Sequence, residues 1–294
     1  MLRFPSMGED EAAQAAMLKV EALIEERRFR DAVEPAKEAC RLNPPSAGAW
    51  GNYAIALKHA CEWAECMSAC ERAIELDTES FKGACWNAGI AASALGRWPR
   101  ARRAWSSYGI EMPEGEGPPE LRLGHAAVRV AIDTEPEVVL CQRIDPCRAR
   151  IESVPLAESD RRFGDVVLHD GERRGSRELA MRKVPMFDEL SLLRRSAYET
   201  WKVTIECAHA GERDELLALF RGLDGAVEDW SESITFLCAQ CSAGVPHDEH
   251  PVPANVPWLR VRKLGLAITG EDELKRLKYL GRWRRGVHGA RRVL

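Results

Sequence analysis

The densest cluster of chemically capable side chains in this 294-residue chain is Cys238-Ala-Gln-Cys241, followed after five residues by His247-Asp-Glu-His250. Two thiolates and two imidazoles are the donor set that tetrahedral zinc takes, and Cys-X2-Cys with His-X2-His is ligand-like spacing. The gap of five is shorter than the roughly twelve of common fingers, but Gly244 and Pro246 let the chain fold back. Four protein ligands would close the site and make the zinc structural. Were one ligand absent, a water would take its place, Asp248 or Glu249 could act as a base, and the alternative would be a zinc-dependent hydrolase. The plainer alternative is two free cysteines beside a polar loop. Ligand type and spacing favour zinc on Cys238, Cys241, His247 and His250.

A second set, Asp145, Asp165, His169, Asp170, Asp188 and Glu189, supplies acid/base groups with nothing to fix their mutual geometry. A histidine at a strand end is more often a hydrogen-bonded structural group than a general base. No GxSxG, HExxH or GxxxxGK[ST] pattern occurs, so no catalytic site is assigned and a non-enzymatic protein is expected.

These groups need elements to hold them, and the N-terminal third is the most regular. Three segments, Ala13–Pro44, Ala47–Thr78 and Lys82–Pro113, recur at spacings of 34 and 35 residues. Each carries two amphipathic helices. Trp50, Tyr53, Ala54 and Leu57 share one face of a first helix; Trp63, Cys66, Cys70, Ala73 and Leu76 share one face of a second. Aromatic residues Phe29, Trp63 and Trp98 open the second helices, Ala54 and Gly89 permit close helix approach, and Pro44 and Pro113 end two repeats.

The segment 13–113 resembles the tetratricopeptide (TPR) family through Trp50, Ala54, Leu57, Ala32, Ala39, Ala73, Gly96, Trp98, Ala101, Pro44 and Pro113, with Thr78 and Tyr108 as departures. The resemblance implies a short right-handed stack whose first helices line a groove, a surface for recognition rather than chemistry. In the family an asparagine early in the first helix often lines that groove, and Asn52 and Asn87 occupy that place. Lys58, His59 and Trp86 are expected to join them in holding a protein or peptide. The lysine-rich set that clamps acidic chain ends is not matched: Met17, Glu21, Gly83 and Asn87 stand at those positions, and only Asn52 agrees.

After the linker at 114–119 the pattern changes to short β-branched runs, 127–132, 138–144, 149–154, 164–169 and 177–184, which suggest a small barrel or rolled sheet. Residues 149–171, with Pro155-Leu156 ahead of Gly164-Asp-Val-Val167, resemble the C-terminal domain of the transcription factors GreA and GreB. That implies a module docking onto RNA polymerase. From Trp201 the order reads strand (201–207), helix (212–221), strand (233–238), then strand (259–268), helix (271–283) and a last strand (291–294). Two such units in tandem suggest a ferredoxin-like α+β sandwich with the Cys/His loop between them. The expected organisation is therefore a helical repeat over 1–116, a β-rich module over 117–196 and an α+β module over 197–294.

Composition is that of a globular chain: 45% hydrophobic, 30% charged and 7% aromatic residues argue against wholesale disorder. No run is long and apolar enough for a membrane span. The N-terminal sequence lacks the apolar core of a secretory signal, so a cytoplasmic protein with ten unbridged cysteines is expected. Charge is uneven. Residues 260–294 hold eleven basic side chains against Glu271, Asp272 and Glu273, a net +8, and residues 1–259 carry −12. The basic end admits an alternative partner, nucleic acid or RNA polymerase, and with it a regulatory factor. The main expectation is a TPR adaptor that recruits a protein or peptide.

Overall fold

In a computed structural model of the chain, the described residues are 7–77, 81–179, 182–220, 224–233, 245, 257–270 and 287–294. They fall into two compact units, Met1–Leu121 and Arg122–Leu294.

The first unit is a helical repeat stack of three helix pairs: α1 (Met7–Glu25), α2 (Phe29–Leu42), α3 (Ala47–His59), α4 (Trp63–Leu76), α5 (Phe81–Ala94) and α6 (Trp98–Tyr108). Each helix packs on the next, and α3 also touches α1 and α5, so the first helices of successive repeats lie side by side. The turns inside the three helix pairs are copies of one another. Arg27, Cys61 and Gly96 are left-handed, with φ of 58°, 63° and 65°. The residue after each donates its N–H to the carbonyl five residues back: Arg28 to Leu23, Glu62 to Leu57 and Arg97 to Ala92, at 2.8–2.9 Å. This is the Schellman closure, which satisfies carbonyls that a helix end leaves open. Packing follows the small residues. Ala32, Ala36, Ala54, Cys66, Ala101 and Trp105 are fully buried. A Cβ on Gly89 would stand 2.6 Å from the Trp105 indole, so only glycine lets α5 and α6 approach this closely.

The second unit begins with β1 (His125–Val130), β2 (Glu137–Arg143), β3 (Arg148–Ile151), β4 (Val166–His169), β5 (Ser176–Leu179) and β6 (Arg182–Arg194). Strands β1, β2, β3, β4 and β6 form a closed five-stranded barrel, with β5 paired to the first residues of β6, 182–185. The closing pair, β1 with β6, is parallel and sets Val128 opposite Phe187 and Arg129 opposite Asp188. Val128, Val130, Val139, Cys141, Ala149, Ile151 and Val167 form its core. Ala127 packs on Val184 and Met186 in a separate cluster, so β1 is buried on both faces and shows no alternation.

An α+β segment follows: β7 (Glu199–Glu206), α7 (Ala210–Leu219), β8 (Ala226–Asp229), the single turn α8 (Trp230–Ser233), β9 (Val261–Ile268) and β10 (Val287–Arg292). The sheet order is β10-β7-β9-β8 with all neighbours antiparallel. Val203, Ile205, Cys207, Leu264, Leu266 and Ile268 on one sheet face pack against Leu216 and Phe220. On the other face Trp230 lies against Gly265, joins Val154 and Ala267 in one apolar cluster, and donates its indole N–H to the Val154 carbonyl at 2.8 Å. The barrel and the sheet thus share a core. Of the strand expected at 233–238, Ser233 instead ends α8 and 234–238 lie outside the described residues, as does the helix expected at 271–283; the described strand after α7 is β8.

Candidate partner-binding site

The side-by-side first helices place Asn52 on α3 and Asn87 on α5 at matching points of successive repeats. Asn52 is half-buried and Asn87 is only 8% exposed. Neither amide makes a hydrogen bond among the described residues. A carboxamide offers an acceptor and two donors, so each retains the capacity to pair with the main chain of an extended ligand. The remaining expected groove residues have other surroundings. Lys58 is buried, close enough to Cys70 to favour its thiolate, although a hydrogen bond with Cys66 and burial together push that thiol well up. His59 stacks on Phe29 at the start of α2, ring centroids 3.6 Å apart. Trp86 meets Trp105 and Tyr108 edge-on at 4.9 and 4.8 Å. These three thus also contact second helices.

The acid/base candidates of the barrel are buried and engaged. Asp145 accepts from the N–H groups of Cys147 and Arg148 and from the Arg148 guanidinium at 2.6 Å. Asp165 accepts from the main chain at Arg162 and Ser196. Asp188 pairs with Arg129 at 2.9 Å, and Glu189 takes Arg161 through both oxygens and also the Ala131 N–H. Asp170 accepts from Gly171 N–H. His169 is fully buried, its Nδ1 is 2.7 Å from the Asp170 carbonyl, and burial pushes it down to about 4, where it stays neutral. The carboxylates close strand pairings and turns with arginines that the sequence pattern did not single out.

The zinc assignment is corrected. Cys238, Cys241, His247 and His250 lie outside the described residues. Among the described residues no group of three or more His, Cys, Asp or Glu side chains could hold a metal ion. The physical reason in the barrel is that its carboxylates are already held by arginines and main chain, and burial raises the thiols of Cys40, to about 12, and of Cys141, well up, away from the thiolate a metal needs. No structural zinc is assigned to the chain, and the zinc-hydrolase alternative is withdrawn with it. No helix among the described residues is long and apolar enough to cross a membrane.

The basic end divides in the same way. Arg262 is buried against Asp229 at 2.6 Å, Arg292 pairs with Glu199 at 2.8 Å and Arg260 with Glu206 at 3.6 Å. Residues 271–286 lie outside the described residues.

No protein-family model matches the chain, and comparison with curated proteins returns no relative. Comparison with solved structures returns TPR domains, each matched over about a third of this chain. The TPR2B-domain:pHsp70 complex of yeast Sti1 matches at 23% identity over 33% of this chain and 78% of that one, with a TM-score of 0.31. The TPR domain of Arabidopsis OM64 matches at 24% over 34% and 82%, TM-score 0.32. The N-terminal domain of stress-induced protein-1 from C. elegans matches at 23% over 36% and 91%, TM-score 0.32. At such scores, what those domains bind is a property of those domains. None of these matches supports the resemblance to GreA and GreB or a nucleic-acid partner.

Proposed function

We propose that the chain is a non-enzymatic interaction adaptor, whose TPR-like unit recruits a protein or peptide along the face built by α1, α3 and α5. One observation carries this reading. Asn52 and Asn87 recur at the repeat period on adjacent first helices, and both amides lack an internal partner among the described residues. Paired amides on neighbouring helices suit the main chain of an extended segment, with modest demand on its side chains. The engaged state of the barrel carboxylates and of His169 supports a role without catalysis. The order β10-β7-β9-β8 supports a ferredoxin-like arrangement for the α+β segment. Eight free thiols among the described cysteines, seven of them buried, support a reducing, cytoplasmic setting.

The test is affinity capture from the native host with the full chain and with the N52A/N87A double variant. The variant should lose its principal partner while its circular dichroism and thermal midpoint match the parent. An unchanged set of partners would move the binding surface elsewhere.

A further inference from the structure

Within the second unit, a cleft of about 490 Å³ lies between the barrel segment 156–158 and the sheet face that α7 does not cover. Its polar wall is made by Lys202 on β7, Lys263 on β9, and Arg291 and Arg292 on β10; its apolar wall by Leu156, Trp230 and Val293. The strand register explains the clustering. Arg291 is directly opposite Lys202. Lys202 is opposite Gly265, and Lys263 stands two residues before it along β9. Directly opposed residues of antiparallel strands are about 5 Å apart, and diagonal neighbours about 7–8 Å.

Like charges at these positions repel and destabilise a sheet. Elsewhere in this sheet the described arginines have carboxylates: Arg260 has Glu206, Arg262 has Asp229, and Arg292 has Glu199. Lys202, Lys263 and Arg291 have no ion-pair partner among the described residues. Among the described residues lining the cleft, Glu158 is the acidic one; it offsets one of these charges and leaves two in excess.

We infer that this cleft binds a small organic phosphate, its phosphate groups between Lys202, Lys263 and Arg291 and its apolar part against Leu156 and Val293. Three cations lining one cleft from neighbouring strands suit a ligand carrying two or more negative charges better than a single carboxylate. The volume is that of a small-molecule site. Trp230 is 4% exposed and caps the sheet face together with the 156–158 segment. Among the described residues lining the cleft, no open aromatic platform therefore remains on which successive bases of a nucleic-acid strand could stack. The inference is independent of the helical face, since it rests on the other unit.

The test is isothermal titration of the full chain with inorganic pyrophosphate and with adenosine diphosphate at about 0.15 M salt. A short single-stranded RNA and a polyglutamate peptide serve as comparators. At least one of the two phosphates should bind saturably with a dissociation constant below roughly 1 mM. K202Q/K263Q and R291Q, changes at partly or fully exposed positions, should each weaken binding by about tenfold or more. K37Q on the helical unit should leave it unchanged. Absence of saturable phosphate binding, equal binding by the cleft variants, or binding confined to the RNA or to the peptide would each overturn the assignment.

Discussion

Arg27, Cys61 and Gly96 occupy the same left-handed turn position in three successive repeats, yet only one is glycine. An L-residue there costs roughly 1–2 kcal/mol in backbone strain, partly offset by the greater freedom glycine has when unfolded. C61G is therefore expected to raise the stability of the helical unit by up to about 1 kcal/mol, and G96A to lower it by about the same amount. A Cβ at Gly96 meets nothing within 4 Å, so its cost is backbone alone. Urea midpoints of both variants at constant slope check the pair; a destabilised C61G would contradict it. Two titrating groups of the second unit oppose each other. Burial lowers His169 from 6.5 to about 4, so its contribution to stability is lost as pH falls from about 6.5 toward 4. Burial raises Glu137 from 4.5 to about 7, against the lowering effect of the Leu156 N–H and of Ser159. Its contribution is lost as pH rises from about 4.5 toward 7. E137Q should therefore gain stability between pH 5 and 7 relative to the parent, and H169Q should lose less between pH 6.5 and 4. Denaturant titrations across that range, with a difference of about 1 kcal/mol or more, measure both.

At the scale of the element, the contrast between two glycines of α5 isolates packing from propensity. Gly89 is overlain by the Trp105 indole, whereas a Cβ at Gly83 meets nothing within 4 Å. G89A should cost about 1–3 kcal/mol by forcing α5 and α6 apart, and G83A should stabilise by up to about 1 kcal/mol through helix propensity. Thermal midpoints that move the same way in both variants would show that the indole does not govern this interface. The barrel depends on a different device. Its closing pair sets Arg129 beside Asp188, 9% and 4% exposed. R129M would leave a buried carboxylate 3.6 Å from Arg174 without its close partner. The expected loss is about 3 kcal/mol or more, seen as a lower guanidinium midpoint.

For the whole molecule, the division at residues 121 and 122 makes a direct statement about cooperativity. A fragment covering 1–121 should give a strongly helical far-ultraviolet circular dichroism spectrum and unfold in one transition. A mostly β or random spectrum would refute an autonomous repeat unit. The exposed acidic stretch Glu114–Glu116 should be the first site cut by a glutamate-specific protease in the full chain, leaving two resistant fragments. The shared cluster of Val154, Trp230 and Ala267 ties barrel and sheet together, so the second unit should lose both in a single step.

The sequence alone determined the helical unit, because a period of 34 or 35 residues with small residues at fixed offsets admits few other packings. The face of Trp201, Val203, Ile205 and Cys207 was equally legible, since these apolar residues meet the core under α7 while Lys202, Thr204 and Glu206 on the other side of the strand stay partly exposed. The run 177–184, legible as one strand, is the pair β5 and the first residues of β6. Asp188 and Glu189 were legible only as acid/base candidates, and it is their tertiary pairing with Arg129 and Arg161 that makes them admissible inside a barrel. The Cys/His spacing suggested a metal, but a list of donor types does not show whether they converge. The placement of the cations was hidden for the same reason. Lys202, Lys263 and Arg291 are 89 residues apart at their extremes, and strand register alone brings them to one cleft. Local periodicity is set by short-range packing and can be read along the chain; the meeting of distant charges is set by strand order, which exists only once the sheet has formed.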